Sequence, residues 1–365
     1  MSTEIKYPFY AKASYIFIGI FAFIFILYIG NAIIVPVIYA GIIAIILNPI
    51  VNFLTLRRFN RVLAISISIS IAILITVGLL YFIISQVGLL QDTFPKLKEK
   101  SNEILQQGIH WTSVEFNMKP RKIVAWIDKT QREFLAHSSD YIGQTISTLG
   151  GIFLVVFILP VYIFMILYYK PLLLEFIKRL FAKDYQLHVA SILSETKIII
   201  QSYLTGLLIE AGIIAAMNSI GLLILGIDYA ILFGVIGALL NMIPYIGGII
   251  AVALPMAMAL ATKDSPTSAL MVAAVYVLIQ FIDNHYIIPK VVASKVKINA
   301  FISILAVFVG GALWGISGTF LSIPIVAICK IIFDYVDSLK PWGYLLGDTM
   351  PEKGIKGESR SGVSN

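Results

Sequence analysis

Asn241-Met242-Ile243-Pro244-Tyr245-Ile246-Gly247-Gly248 interrupts the middle of a long apolar run, and the reading of that interruption decides the architecture. The run extends from Tyr229 to Thr262. As one straight helix it would measure roughly 50 Å, well beyond a hydrocarbon core of about 30 Å. Pro244 removes a backbone donor, and the glycine pair Gly247-Gly248 gives the chain freedom to turn. Peptide groups released in this way are tolerated at membrane depth only where they are buried in protein or line a wet cavity. A break here points to a transport route and not to an anchor.

The rest of the chain supplies the membrane setting. Its 365 residues are 59% hydrophobic and 13% charged, and the mean hydropathy is +0.92. About eight hydrophobic segments follow one another: Ser14–Ile29, Ala32–Leu54, Val62–Leu90, Ile142–Tyr169, Ile198–Leu225, Tyr229–Thr262, Ser268–Ile282 and Ala300–Phe333. That pattern predicts an all-α polytopic membrane protein. The formal charge of +7 would suit a nucleic-acid partner. The basic residues fall mostly in short loops between apolar runs, however, so they are read as orienting the chain in a lipid bilayer, and no nucleic acid is expected. The single cysteine, Cys329, excludes an intrachain disulfide and reads as a small packing residue. Lys6 and Lys12 precede the first run without a cleavage site, so a retained helix is predicted over a removed signal peptide.

The last long run has its own interruption, Gly310-Gly311-Ala312-Leu313-Trp314-Gly315-Ile316-Ser317-Gly318. Paired Gly/Pro-interrupted segments are the sequence pointer to a site built from discontinuous helices, the alternative being close packing of continuous ones. Charge placement gives a topology. Arg57, Arg58 and Arg61 put the second loop in the cytoplasm, and Lys290, Lys295, Lys297, Lys330 and Lys340 are expected on that same side. Both conditions hold only if 229–262 and 300–333 each return to the side they left, as broken or re-entrant hairpins. The predicted organisation is transmembrane helices over 1–90, an extracytoplasmic amphipathic helical region over 91–141, a transport core over 142–340, and a cytoplasmic, largely disordered tail over 341–365. Both termini are expected in the cytoplasm of a bacterial-type inner membrane. The stretch Pro171–Thr196 is expected to lie along the inner surface.

Few residues carry chemistry. Glu210 stands alone inside its span, where a charged carboxylate costs on the order of 3 kcal/mol, so it should face a bundle interior or cavity. It reads either as a proton- or cation-responsive group or as a packing carboxyl bonded to a neighbouring helix. Gln280, Asp283 and Asn284 share a helix face ahead of Pro289, and read either as a solute or cation site or as interfacial capping. Asn241 and Tyr245 flank the first break and offer donors and acceptors to a hydroxylated solute. The expected solute route therefore comprises Asn241, Pro244, Tyr245, Gly247, Gly248, Gln280, Asn284, Gly310, Gly311, Gly315 and Gly318, with Glu210 and Asp283 as ion-coupling candidates. No enzyme, metal or nucleotide motif is present, and no cofactor is implied.

Taken together, these segments resemble the AI-2E family of transporters, the autoinducer-2 exporter family. The resemblance rests on Gly226-Ile227-Asp228-Tyr229-Ala230, Asn241 to Gly248 with its Ile-Pro-Tyr-Ile-Gly core, Gln280-Phe281-Ile282-Asp283-Asn284, Pro289, and Gly310 to Gly318 ending at Pro324. It covers roughly Gln201–Lys330 in order and spacing; the N-terminal half matches in hydropathy layout alone. The loop ending Ile298-Asn299-Ala300 departs from the family, which often has a proline there. The likeness implies a membrane transporter, in some members an exporter of autoinducer-2 and in others a sodium/proton antiporter. It also implies homo-oligomers, plausibly pentamers. The expected function is export of a small polar solute by alternating access. Its alternatives are monovalent cation/proton exchange and a non-transport scaffold that uses 91–141 to bind partners.

Overall fold

The computed structural model describes residues 8–90, 103, 157–243, 247–263, 265–292 and 297–349. The amphipathic region expected over 91–141 (Glu103 apart), the start of the fourth span, Pro244, Tyr245 and the tail beyond residue 349 lie outside these residues. Short turns aside, the described residues form helices: α1 Phe9–Ile29, α2 Asn31–Leu56, α3 Arg61–Leu90, α4 Phe157–Arg179, α5 Gln186–Ile224, α6 Ala230–Asn241, α7 Gly247–Thr262, α8 Thr267–Ile282, α9 Ala300–Tyr335 and α10 Lys340–Leu346. Among the described residues there is no strand. Seven of the helical stretches are long and apolar enough to cross a membrane by length and composition. The protein is an all-α polytopic membrane protein.

Helices α2 and α3 form an antiparallel pair around a tight turn. Arg58 takes a left-handed backbone there, and Asn60 Oδ1 accepts the Val62 amide at 3.0 Å to start α3. Their contact joins Ala40, Ala44, Leu47 and Val51 on α2 to Ala64, Ile65 and Ile69 on α3, with Ile163 and Leu167 of α4 closing the cluster. The Ser66/Ser68/Ser70 alternation is helical, and Ser68 turns its hydroxyl to the Ala64 carbonyl at 2.8 Å.

The stretch Pro171–Thr196 does not form a separate helix along the membrane surface. Its first part continues α4 and its last part opens α5, around a short turn at Lys183–Tyr185. The reason is length: α5 has 39 residues, about 58 Å as a helix, so a third or more of it stands beyond a 30 Å core and takes the polar residues with it. Gly206 of α5 has no side chain where the Val291 carbonyl packs against it, which brings the backbones of α5 and the segment after α8 into contact.

Helices α6 and α7 have 12 and 16 residues, about 18 and 24 Å, so neither crosses a 30 Å core alone. They pack on one another with α5 and α8 through Phe233, Ala251, Met258, Val272 and Tyr276. The start of α6 and the finish of α7 lie at one end of the bundle. There Lys263 Nζ lies against Gly226, and Tyr229 donates its hydroxyl to the Leu89 carbonyl at 2.9 Å. The other end holds Arg57, Arg58 and Arg61, the finish of α4 and the start of α5, and is called the basic end below.

Helix α9 is two helices joined across a turn at Trp314 (φ −135°) and Gly315 (φ 60°). A Cβ on Gly318 would lie 1.8 Å from the Gly310 carbonyl oxygen, so the limbs meet backbone to backbone. The two feet of α9 are also together. Asn299, just before α9, donates its side-chain amide to the carbonyls of Leu345 and Gly347 at 2.7 and 2.9 Å, beyond its finish. A straight helix of 36 residues would hold those feet about 54 Å apart, more than the chain from Tyr335 to Leu345 reaches when fully extended, about 35 Å. Tyr335 faces Glu195 of α5, which sets both feet at the basic end. The stretch just past α9, expected to begin a disordered tail, instead carries α10. Pro341 sits in its first turn and Gly343 packs on Asp334.

Candidate functional site

Three polar side chains from three elements converge where α6 stops. Asn241 closes α6, Glu210 sits midway along α5, and Asp283 ends α8. Asn241 Nδ2 donates to Asp283 Oδ2 at 3.0 Å and to Glu210 Oε1 at 3.3 Å. Glu210 is 5% exposed and Asp283 is fully buried. The reading of Asp283 as interfacial capping fails on that burial: the group is inside the bundle.

The local winding explains how Asp283 gets there. From Asp283 to Val292 the helix widens into π geometry and carries Pro289 through it. A proline has no N–H to return to the preceding turn, and a wider turn is one of the adjustments by which membrane helices re-satisfy the freed carbonyl. The wide turn leaves Asp283 and Ile287 buried, while His285 and Tyr286 are exposed and Asn284 borders the open side of the cavity described next. His285 stacks on Phe281 and bonds its carbonyl at 2.9 Å, away from the acidic pair.

The pair fronts a cavity of about 720 Å³ lined by Glu210, Asn241, Gly248, Tyr276, Gln280 and Asn284, with Ile249, Val252, Met256 and Val277 as its apolar wall. A Cβ at Gly248 would stand 3.1 Å from Gln280 Oε1, so that glycine holds the α7 side of the space open. The last residue of α6 and the first turn of α7 both border it, which aims the opposed ends of two half-helices at one chamber. A recess of about 10 Å³ opens behind, between Asn218, Gly237, Asn241 and Tyr276, enough for about one water molecule. Three buried acceptors around the pair, Asp283 Oδ1, Asn218 Oδ1 and the Tyr276 hydroxyl, have no hydrogen-bond partner among the described residues.

Of the residues expected from the sequence, Asn241, Gly248, Gln280, Asn284 and Glu210 come together at this cavity, with Asp283 one hydrogen bond behind. Gly247 serves the turn itself, where a Cβ would lie 1.8 Å from the Leu240 carbonyl. Gly310, Gly311, Gly315 and Gly318 form the limbs and tip of α9 and do not line the cavity. The tip instead reaches α1 and α2: Trp314 Nε1 donates to the Leu27 carbonyl at 2.9 Å and Tyr39 to the Ser317 carbonyl at 3.4 Å. Tyr276 was missed because an aromatic in an apolar helix reads as packing. Its one available signal is that a tyrosine hydroxyl needs a partner when buried.

Comparison with known proteins places the chain among membrane transporters. The profile of the family described as "AI-2E family transporter" matches residues 16–338. The chain is 28% identical over 325 residues to "AI-2 transport protein TqsA" of Escherichia coli (strain K12), covering 88% of this chain and 91% of that one. It is 25% identical over 335 residues to "Putative transport protein YueF" of Bacillus subtilis (strain 168), covering 88% and 87%. It is 23% identical over 331 residues to "Putative transport protein YhhT" of Escherichia coli (strain K12), covering 89% and 91%.

Proposed function

Since the chain belongs to the AI-2E family of transporters, we propose that the cavity beside Glu210, Asn241 and Asp283 carries a small polar solute across the membrane by alternating access. The solute class is a hydroxylated signal of the autoinducer-2 kind or a related metabolite, moved outward. The printed name of TqsA supports that class for a relative. The observation that carries the reading is the chamber itself: side chains from α5, α6 and α8 and two half-helix ends converge on about 720 Å³, and one wall is apolar. A sugar-like solute needs that combination, donors and acceptors for its hydroxyls and an apolar face for its carbons. The α6–α7 and α9 segments would act as re-entrant hairpins from opposite faces, with the basic end in the cytoplasm of the inner membrane. Uptake of a radiolabelled solute into inverted vesicles tests it. Flux should fall to background in Gln280→Ala and Asn284→Ala variants that remain folded, and undiminished flux in both would overturn the reading.

A second reading, exchange of a monovalent cation for protons, is favoured by a separate observation. Asn241 supplies one amide to two buried carboxylates, and Asp283 Oδ1 has no partner among the described residues. Two carboxylates so placed call for a positive guest, whether a proton or a metal ion. All the uncommitted atoms are oxygens, which suits a hard cation. Proteoliposomes separate the readings: collapse of a pH gradient on adding Na⁺, lost in Glu210→Gln, supports exchange, and an unchanged gradient rejects it.

A further inference from the structure

A second pair of cavities opens at the basic end, remote from the acidic pair. One, of about 440 Å³, lies between α2, α4 and α5, and the other, of about 560 Å³, between α2, α3 and α4. They share Asn48, Leu167, Lys170 and Leu174 as a common wall. Lys170, Lys178 and Lys197 line the first and Arg61 and Lys170 the second. No carboxylate lines either among the described residues. The nearest acidic groups are engaged elsewhere: Glu175 pairs with Arg179 at 2.9 Å, and Glu195 faces Tyr335.

The donors are not spent on one another. Arg61 gives one nitrogen to the Leu167 carbonyl at 2.8 Å, and Lys170 Nζ donates to Asn48 Oδ1 at 2.8 Å. Lys170 also feels the positive charges of Lys197 and Arg61. Asn48 is 5% exposed and turns its oxygen to Lys170, which holds that ammonium at the wall the two cavities share. Four cations, Lys170, Lys178, Lys197 and Arg61, thus line the two cavities with no carboxylate among the described lining residues. Gathered cations without counter-ions repel, and a polyoxygen anion relieves that repulsion while accepting several donors at once. Below the charged rim, the first cavity is walled by Gly41, Ala44, Ile45 and Ile166. Apolar walls under a cationic rim at the mouth of a membrane bundle fit a headgroup with its acyl carbon attached, better than a free ion.

We propose that this site binds a phosphodiester anion presented by an acidic phospholipid, with Lys170, Lys197 and Arg61 on the phosphate and the α2 wall against the acyl chain. Occupancy would tie α4 and the start of α5 to the α2–α3 pair.

The test uses the full chain, purified in uncharged detergent and stripped of lipid. Thermal unfolding is followed with phosphatidylglycerol micelles, phosphatidylcholine micelles, or inorganic phosphate. Phosphatidylglycerol should raise the transition by a few degrees where phosphatidylcholine does not. Its apparent affinity should fall roughly fivefold for each of Lys170→Gln and Lys197→Gln, and not for Lys183→Gln, which neutralises a charge outside both cavities. Native mass spectrometry should count a retained phosphatidylglycerol on the wild-type chain and lose it in Lys197→Gln, which gives an answer even if Lys170→Gln does not fold. Equal responses to the two lipids, or equal responses of wild-type and both cavity variants, overturn the proposal. Protection by inorganic phosphate that matches phosphatidylglycerol overturns the lipid as the source.

Discussion

Asn241 divides one amide between two carboxylates, and each of the three residues makes a different prediction. Asn241→Ala removes the donor from both acids while both stay buried. It should lower the stability of the purified protein by about 1–3 kcal/mol, read as a drop in unfolding temperature, with transport lost as well. Glu210→Gln keeps the shape and the hydrogen-bond capacity, so the fold should hold. Flux measured in proteoliposomes across a pH series should lose its pH dependence, because an amide stands permanently in the uncharged form that protonation gives the acid. An unaltered pH profile would reduce Glu210 to packing. Glu210 was legible in the sequence because a lone carboxylate in an apolar span has few other uses. Asp283 was legible only as one of two readings, since a polar group three residues from Gln280 and six before Pro289 also looks like the end of a helix at the headgroups. Only the π winding, which hydropathy does not report, carries it inside. Asn48 was overlooked for a similar reason: followed by Pro49 near the end of α2, it looked like a helix terminus, and its partner lysine like a loop charge.

At the scale of elements, α9 and the α8 extension are each decided by a few backbone positions. The limbs of α9 touch at Gly310 and Gly318, where an added methyl on either would run into the other's carbonyl, whereas at Gly311 it would meet only the Thr319 methyl at 3.0 Å. Gly318→Ala should therefore cost about 1–3 kcal/mol and Gly311→Ala clearly less, as read by unfolding temperature. Equal effects would mean that the limbs do not meet as described. Pro289→Ala restores a backbone donor and lets the wide turn tighten. Its expected signature is altered flux with little loss of unfolding temperature, because the change re-aims Asp283 without opening the core. The spans themselves were legible, since apolar length alone finds them. Their continuations were not: the polar turns of α4 and α5 look like surface helix in isolation, and only helix length relative to a bilayer distinguishes a helix that projects from one that lies flat.

For the molecule as a whole, the decisive property is which segments share an end. The α6–α7 pair starts and finishes beside Leu89 and Gly226, while α9 starts and finishes at the basic end with Glu195. In a Cys329→Ala background, cysteines at Asp228 and Lys263 should react with an impermeant maleimide from one face of the membrane. Cysteines at Arg58, Lys183 and Lys297 should react only from the other. Labelling of Lys263→Cys from the Arg58 side would break the arrangement of oppositely inserted segments. The charge bias of the loops predicts which ends share a face, yet it says nothing of how far the segments reach, because that is set by contacts such as that of Trp314 with Leu27.

One amide, that of Asn299, fastens the root of α9 to the chain just past its finish. A tongue held by its root swings only as a single stiff piece, so a stroke at the Trp314 tip must tug on Leu345 and Gly347. A fluorophore on Gly347, far from any solute, would flicker in time with turnover.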